Sequence, residues 1–495
     1  MKKLISLLVI IMIISATSGV MAFDVPDSIR VGLCYGSNAR TYIDLFSNEG
    51  FDVGYYEGNS FVPLWSTFET TAVVAVASGT VYISYGYSTY DEAAAISEGG
   101  FVMYTNGSFY KAYSEPKDGF GAYALREGSM VLKIGGVTVF VTDRTDMGMR
   151  GKNNLTMIDG YSYRGGAEMR YYGSGLMTVI NIVGFTDYVC GVVPYEMPAS
   201  FSPEALKVQA ICARNYAVIS MGNYYSYGFD VTDDTYCQVY GGIAAETERT
   251  NLAVRETDGM MLMYNGQPVE TYFSSMSGGH TEASENVWSS AIPYLCGVPD
   301  PYEDTENIGG GLWQLELTAE EISAKAAAWG QPVGTVTDMY VEEYSKAGGV
   351  IKLVIEGTAG TAVFTKDDCR NLFTLRSQKY TVSSPKQTVS ETVRTTVGFK
   401  DIPRPSRYPL SPVAVNADLY PTLSEACKTN VMSYVIETVV KTESSSGSGK
   451  YVLSGRGFGH GLGMSQWGAE GMAQAGFGFE EILLHYFPGT YLQKD

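Results

Sequence analysis

Two hydrophobic periods alternate along the chain. Between residues 27 and 115 short apolar runs, SIRVGLCYG, TTAVVAVASG and TVYISYGYS, end at glycine and predict strands. STYDEAAAISEGG then predicts a short helix opened by Ser88 or Thr89 with a carboxylate in its first turn, and FVMYTNG returns to strand. From about 130 to 190 the segments SMVLKIGGVTVFVTD, YSYRGGAEMRYY and GLMTVINIVGFTDYV predict a β-rich stretch whose last strand ends at Val193. The period then changes. In PASFSPEALKVQAICARNYAVISMG, residues Ala205, Val208, Ile211, Cys212, Asn215, Tyr216 and Ile219 fall on one helical face. Ser202 and Pro203 supply an N-cap and a first-turn proline, so a long helix is expected over 202–221.

Residues 251–300 repeat a helix-then-strand order, and 311–380 alternate a helix (LTAEEISAKAAAWG) with strands (MYVEEYS, VIKLVIEG). Residues 381–450 are rich in Ser, Thr and Pro and carry SSSGSG, which predicts an irregular insertion or an exposed hairpin loop. The closing stretch predicts two short helices separated by Gly476 and Gly478. The expected class is α+β: a β-rich domain over 121–495 built around the long helix, preceded by a small α/β module over 23–120.

Composition narrows the setting. Length, 495 residues, allows several domains, and 45% hydrophobic residues fit a globular chain. A net charge of −19 excludes non-specific nucleic-acid binding, because a polyanion would be repelled over most of the surface. The 37 tyrosines suit strand-rich folds and sugar-binding surfaces alike. Lys2 and Lys3, the run LISLLVIIMIISA and small residues ending in Val20-Met21-Ala22 have the order of a secretory signal over 1–22, with an uncleaved membrane anchor as the alternative. The expected location is secreted or in the cell envelope. Cysteines 34, 190, 212, 237, 296, 369 and 427 form no CxxC, and their pairing stays open between buried thiols and disulfides.

Candidate chemistry gathers at a few places. Glu196 stands between Pro194 and Pro198 in what the pattern predicts to be a turn, with Tyr195 and Met197 beside it. Desolvation there would keep the carboxyl protonated near neutral pH, as a general acid requires; a solvated loop glutamate is the plain alternative. Residues 455–468, GRGFGHGLGMSQWG, place six glycines around Phe458, His460, Leu462, Met464 and Trp467. Linkers do not interleave such residues, so an ordered loop with positive φ angles and close backbone approach is expected.

Five blocks, spread from Asn181 to Thr490, carry a resemblance: NIVGFTDYVCGVVPYEMP, SPEALKVQAICARNYA, DDTYCQVYGG, ETYFSSMSGGHTEASENVW with PYLCGVPDP, and GRGFGHGLGMSQWGAEGMAQAG with ILLHYFPGT. Together they resemble the SpoIID/LytB family of peptidoglycan-cleaving proteins. STYDEAAAI in addition resembles the helix start of SPOR modules, which bind glycan strands. The family resemblance implies a lytic transglycosylase acting on glycan strands stripped of stem peptides, with Glu196 as the one catalytic acid. A glycosidase that uses water needs two carboxyls, whereas a transglycosylase can use one, which protonates the leaving oxygen and then accepts the proton of the sugar's own C6 hydroxyl. Arg214 matches the arginine of the family's helix and is expected to orient Glu196 or grip a sugar carboxylate. Tyr294 matches a groove tyrosine, and Cys296 stands where a lysine is expected in some relatives.

The other site expectations are softer. Gln238, Ser274, Ser275, Ser277, Ser465, Gln466 and Trp467 are expected to contact sugar, with Thr281 in the same polar wall and His460 either bonding the loop or meeting substrate. Some relatives hold zinc near DDTYCQVYGG; here Cys237 is the one ligand nearby in sequence, so no cofactor is expected. A cysteine peptidase using Cys212 or Cys296 with His280 or His460 is a further possibility from a different class. The family also contains LytB-type amidase enhancers, so a non-catalytic glycan binder stimulating an N-acetylmuramoyl-L-alanine amidase is the leading alternative.

Overall fold

The computed structural model describes residues 25–96, 99–288, 290–385, 388–393, 439–444 and 449–494. The expected signal over 1–22 and Cys427 lie outside the described residues.

The first half of the chain is one large sheet. Strands Ser28–Cys34, Leu176–Gly184, Tyr161–Gly173 and Asp146–Ile158 run antiparallel side by side, and Val231–Thr232 joins the outer edge of the first in parallel. Beyond Asp146–Ile158 the sheet forks at an irregularity between Arg150 and Leu155. One branch passes to Phe51–Glu57 and Ser60–Thr67, the other through Tyr42–Phe46 and Thr71–Val76 to Met130–Ile134 and onward. Residues 28–124 therefore contribute strands to the same sheet as 146–184, and the boundary expected near residue 120 is not a break in the hydrogen-bonded ladder. Within this region strand Thr80–Tyr87, helix α1 (Tyr90–Ala94) and strand Phe101–Thr105 follow in the expected order, with Thr89 and Glu92 forming a capping box.

Three helices pack on one another beside this sheet. Helix α2 spans Phe185–Glu196, α3 Pro203–Ser220 and α4 Glu248–Glu256. The long helix appears as expected, starting at Pro203 after Ser202. The strand expected to run to Val193 instead stops at Gly184, and residues 185–196 are helical with Pro194 inside the last turn. The correction has a physical reason. A buried strand and a buried helix both read as apolar, and only Gly184 separates them. Near a helix end proline removes a single ladder bond, and Met197 N–H closes the turn onto the Val193 carbonyl at 2.9 Å. Gly191 lets α2 approach the Tyr240 ring, which a side chain there would overlap.

The C-terminal third folds in two parts. After a short helix α5 (Ser284–Val287), residues 312–383 and 451–456 build a body with its own core of Leu317, Ile322, Met339, Leu353, Phe364 and Leu453. It contains α6 (Ala319–Ala328), α7 (Asp368–Asn371) and two three-stranded sheets. The expected insertion leaves this body after Tyr380–Ser383 and returns in the adjacent strand Tyr451–Arg456. Its described part is the antiparallel pair Thr388–Val393 and Val439–Ser444. Helices α8 (Gln466–Gln474) and α9 (Phe479–Tyr486) then come back to pack on α3, so this body is inserted within the domain that carries α2 and α3.

Candidate active site

Glu196 is the last residue of α2, half-buried, with Oε1 accepting the Val239 N–H at 3.1 Å. Burial pushes its carboxyl above the ordinary range, and the Val239 bond only partly offsets this. The helix C-terminus adds to the effect, because its exposed carbonyls disfavour a negative charge. Tyr188 and Tyr216 lie within electrostatic reach of the carboxyl, as they do of Cys237. Tyr195, beside Glu196, lays its ring on Gly241, so the loop 233–242 is held against the end of α2 at two points.

Helix α8 fastens this arrangement from the other side. Gln466 Nε2 donates to the Glu196 carbonyl at 2.8 Å and to Gln209 Oε1 at 3.1 Å. One turn on, Glu470 accepts the Ser202 N–H at 2.6 Å and its hydroxyl at 3.1 Å, capping the start of α3. One face of α8 thus closes α2 and opens α3. Trp467 meets Phe201 edge-on, with ring centres 4.7 Å apart.

Most of the expected sugar-contacting hydroxyls have other partners. Ser277 and Ser465 hold two buried carboxylates: Ser277 Oγ donates to Asp300 at 2.8 Å and Ser465 Oγ to Glu303 at 2.7 Å. Tyr486 donates to Asp300 at 2.9 Å, and the Gly278 N–H to Glu303 at 2.9 Å. Burial, with Glu303 alongside, raises the Asp300 carboxyl well above the ordinary range. This cluster, which sequence reasoning missed, locks the SSMSGG segment to the C-terminal loop; PDP and a distant tyrosine gave no local sign of it. Ser274 is buried and pairs in parallel with Ser465, and the Ser275 carbonyl accepts the Trp467 N–H at 3.2 Å. Thr281 Oγ1 accepts the Val298 N–H at 2.8 Å.

The glycine run is ordered as expected, but its close approaches are to protein. Gly463, at φ +65°, faces the Tyr272 carbonyl, and Gly459, at φ +116°, faces the Ser274 side chain. A methyl at Gly468 would overlap the Tyr486 hydroxyl and both Asp300 oxygens. Gly468→Ala is therefore expected to cost roughly 1–3 kcal/mol of stability by overpacking. Urea unfolding of the variant measures this, and an unchanged midpoint would contradict the packing described.

Arg214 is fully buried on α3, where it donates to the carbonyls of Met260 at 3.1 Å and Val254 at 3.4 Å. A guanidinium sealed in the core is not placed to grip a sugar carboxylate. Tyr294 is buried too, and its hydroxyl accepts the Glu270 N–H at 3.1 Å. Gln238 accepts from Tyr188 at 3.3 Å and is 2% exposed, next to the residue that holds Glu196. His460 Nδ1 accepts the Leu462 N–H at 3.0 Å, and the ring also bonds the Phe273 carbonyl. Burial depresses its pKa to about 4, so it is a neutral ring bracing the loop.

Two further groups complete the picture. Asp233 opens the loop that holds Glu196; burial pushes its carboxyl up to about 7, and neighbouring Asp234 adds to the shift. The sequence signal was present in DDTYCQVYGG, which drew attention for its cysteine instead. Among the described residues no three His, Cys, Asp or Glu side chains converge as a metal group, and Cys237 bonds with Tyr224. Cys212 is fully buried and its thiol is pushed far up by desolvation, which removes the thiolate a peptidase needs.

Comparison with known proteins agrees with the blocks. The SpoIID family model, described as stage II sporulation protein, matches residues 173–264, which include Glu196, Arg214 and the 233–242 loop. The amidase enhancer of Bacillus subtilis is 34% identical over 306 residues, 61% of this chain but only 40% of that protein. An uncharacterised protein of Brachyspira hyodysenteriae is 30% identical over 340 residues, 67% of this chain and 74% of its own length. Stage II sporulation protein D of B. subtilis is 29% identical over 323 residues, 62% of this chain and 74% of its own. On these matches, and on the helices and loop that gather the matched residues around one carboxyl, the chain belongs to the SpoIID/LytB family.

Proposed function

We propose that the protein is an exported cell-wall enzyme that cleaves peptidoglycan glycan strands by lytic transglycosylation, with Glu196 as its general acid and base. The observation that carries this is a desolvated carboxyl at a helix C-terminus, anchored through one oxygen by Val239 N–H. Protonated Glu196 gives its proton to the glycosidic oxygen as the bond to C1 of the muramic residue breaks. The resulting carboxylate then accepts the proton of that sugar's C6 hydroxyl as the hydroxyl oxygen bonds C1, closing a 1,6-anhydro ring and restoring the acid. No water is consumed, so no second carboxyl is required.

Incubation with purified glycan strands freed of stem peptides should give 1,6-anhydro products by mass spectrometry; intact strands or hydrated reducing ends would refute the reading. The pH profile supplies a second check. Glu196 must begin protonated and its folded pKa is raised, so kcat/KM should fall as pH climbs through a value above the ordinary carboxylate range. A profile falling only around the ordinary glutamate value would contradict a desolvated acid.

The likeness to an amidase enhancer supports a second reading, a glycan binder that stimulates a partner amidase. It predicts that Glu196→Gln stimulates the amidase as well as wild type does.

A further inference from the structure

An aromatic row passes the candidate acid and continues away from it in two directions. Tyr216, within electrostatic reach of Glu196, meets Tyr272 with ring centres 6.2 Å apart, and Tyr272 meets Trp288 at 4.5 Å. On the other side Tyr216 lies within electrostatic reach of Cys237, with which Tyr224 bonds. From Tyr224 the row goes on. Tyr35 crosses it edge-on, 6.1 Å from Tyr224 and 5.6 Å from Tyr227, and Tyr172 stacks on Tyr227 at 5.8 Å.

We propose that Tyr224, Tyr35, Tyr227 and Tyr172 form a ledge that binds sugar residues of the glycan strand on one side of the scissile bond. The proposal rests on the glycan reading of Glu196 and extends it to the length of strand recognised.

The ledge is assembled from three distant pieces of chain. Ser28–Cys34 and Val231–Thr232 lie parallel, so Tyr35 and the loop that holds Glu196 leave the same end of the sheet. Phe229 underlies the row: it is 1% exposed, its ring rests where Gly32 has no side chain, and Tyr224 and Tyr227 stack on it at 5.3 and 6.0 Å. Burying Phe229 needs only apolar cover. The covering residues are instead tyrosines left half-exposed, with Tyr172 45% exposed. A pyranose has apolar C–H faces and a rim of hydroxyls, and tyrosine offers both complements on one stiff side chain. Rings fixed against one another also lose little freedom when a ligand arrives. Tyr224 and Tyr227 lie within the residues that the family model matches, whereas Tyr35 follows strand Ser28–Cys34 outside them, so the ledge joins the matched region to the N-terminal part of the sheet.

The test compares strand lengths. Peptide-free oligomers of alternating N-acetylglucosamine and N-acetylmuramic acid, short and long, are titrated into wild type, Tyr172→Ala and Tyr172→Ala/Tyr227→Ala, all in the Glu196→Gln background to prevent turnover. Wild-type surface should bind long oligomers more tightly than disaccharide. The double variant should lose roughly tenfold for long oligomers, as expected for lost ring contacts, while disaccharide binding holds. Tyr172→Ala alone, at an exposed ring, should lose part of that affinity and guards against a folding defect in the double variant. Equal binding of long oligomers by all surfaces, or equal loss at every length, overturns the ledge while leaving the Glu196 reading in place. No binding of any oligomer by the unaltered surface overturns both. Intact glycan binding with lost stimulation of an amidase would give the ledge to a protein partner and overturn the proposal as stated.

Discussion

Glu196→Gln is expected to lower turnover of peptide-free glycan strands by about 10²–10⁴-fold, the range that a positioned general acid and base contributes. Binding should survive, because the amide oxygen can still accept the Val239 N–H and Gln466 bonds the backbone carbonyl of residue 196, not its side chain. Stability should rise. A carboxyl whose folded pKa is raised stabilises the fold fully only below its unfolded pKa and loses that contribution as pH climbs through the folded value. The amide has no such dependence, so the melting temperature of the variant should exceed that of wild type by a margin that widens from acidic to neutral pH and then levels off. Mass spectrometry of products and thermal unfolding at several pH values read both effects. A variant that cuts normally sinks the catalytic assignment, and one that melts lower at neutral pH sinks the desolvation argument.

Arg214→Ala should show the opposite pattern, with stability failing first. The side chain is fully buried and bonds two carbonyls at the seam of α3 with residues 254–260. Its removal leaves a cavity and buried acceptors to be re-satisfied, for which a loss of about 3–5 kcal/mol is expected. Arg214→Lys keeps the charge but not the fork of donors, so it should fall between the two. Urea unfolding gives the stability, and activity assayed well below the melting transition gives the rate. A fold as stable as wild type with activity lost would return the arginine to the reaction.

How far the sequence alone reached depended on whether a signal was local. The helix over 203–220 was legible because its apolar face, Ser202 and Pro203 all lie within one stretch. Helix α2 was not, since an apolar strand leads straight into it and Pro194 resembles a breaker. Glu196 is visible locally as a lone carboxyl between prolines, but that feature fits a solvated glutamate equally, and its expected role as the acid comes from the resemblance to the SpoIID/LytB family. The continuity of the sheet across residue 120 depends on pairings between distant strands, such as Ser28–Cys34 with Leu176–Gly184, which no local period encodes. Hydroxyls were the least legible. Ser277 and Ser465 look in sequence like groups awaiting a sugar, and only the fold brings Asp300 and Glu303 to them. Arg214 was hidden in the same way: helical spacing gives its distance from Glu196 along the chain but not that its guanidinium is buried against the carbonyls of Met260 and Val254.

The paired grip of Gln466 and Glu470 gives the molecule an order in time. Each reaches back across the chain, by 270 residues to the end of α2 and by 268 to the start of α3. Synthesis delivers the N-terminal side first, so the helix that carries Glu196 emerges long before the residues that fasten it, and the whole stretch between them must be made first. Until α8 docks, the carbonyl of residue 196 lacks its Gln466 donor and the Ser202 N–H lacks its Glu470 acceptor. A partly delivered chain is in that sense unfastened, and the segment that completes the fold also ties the end of α2 to the start of α3.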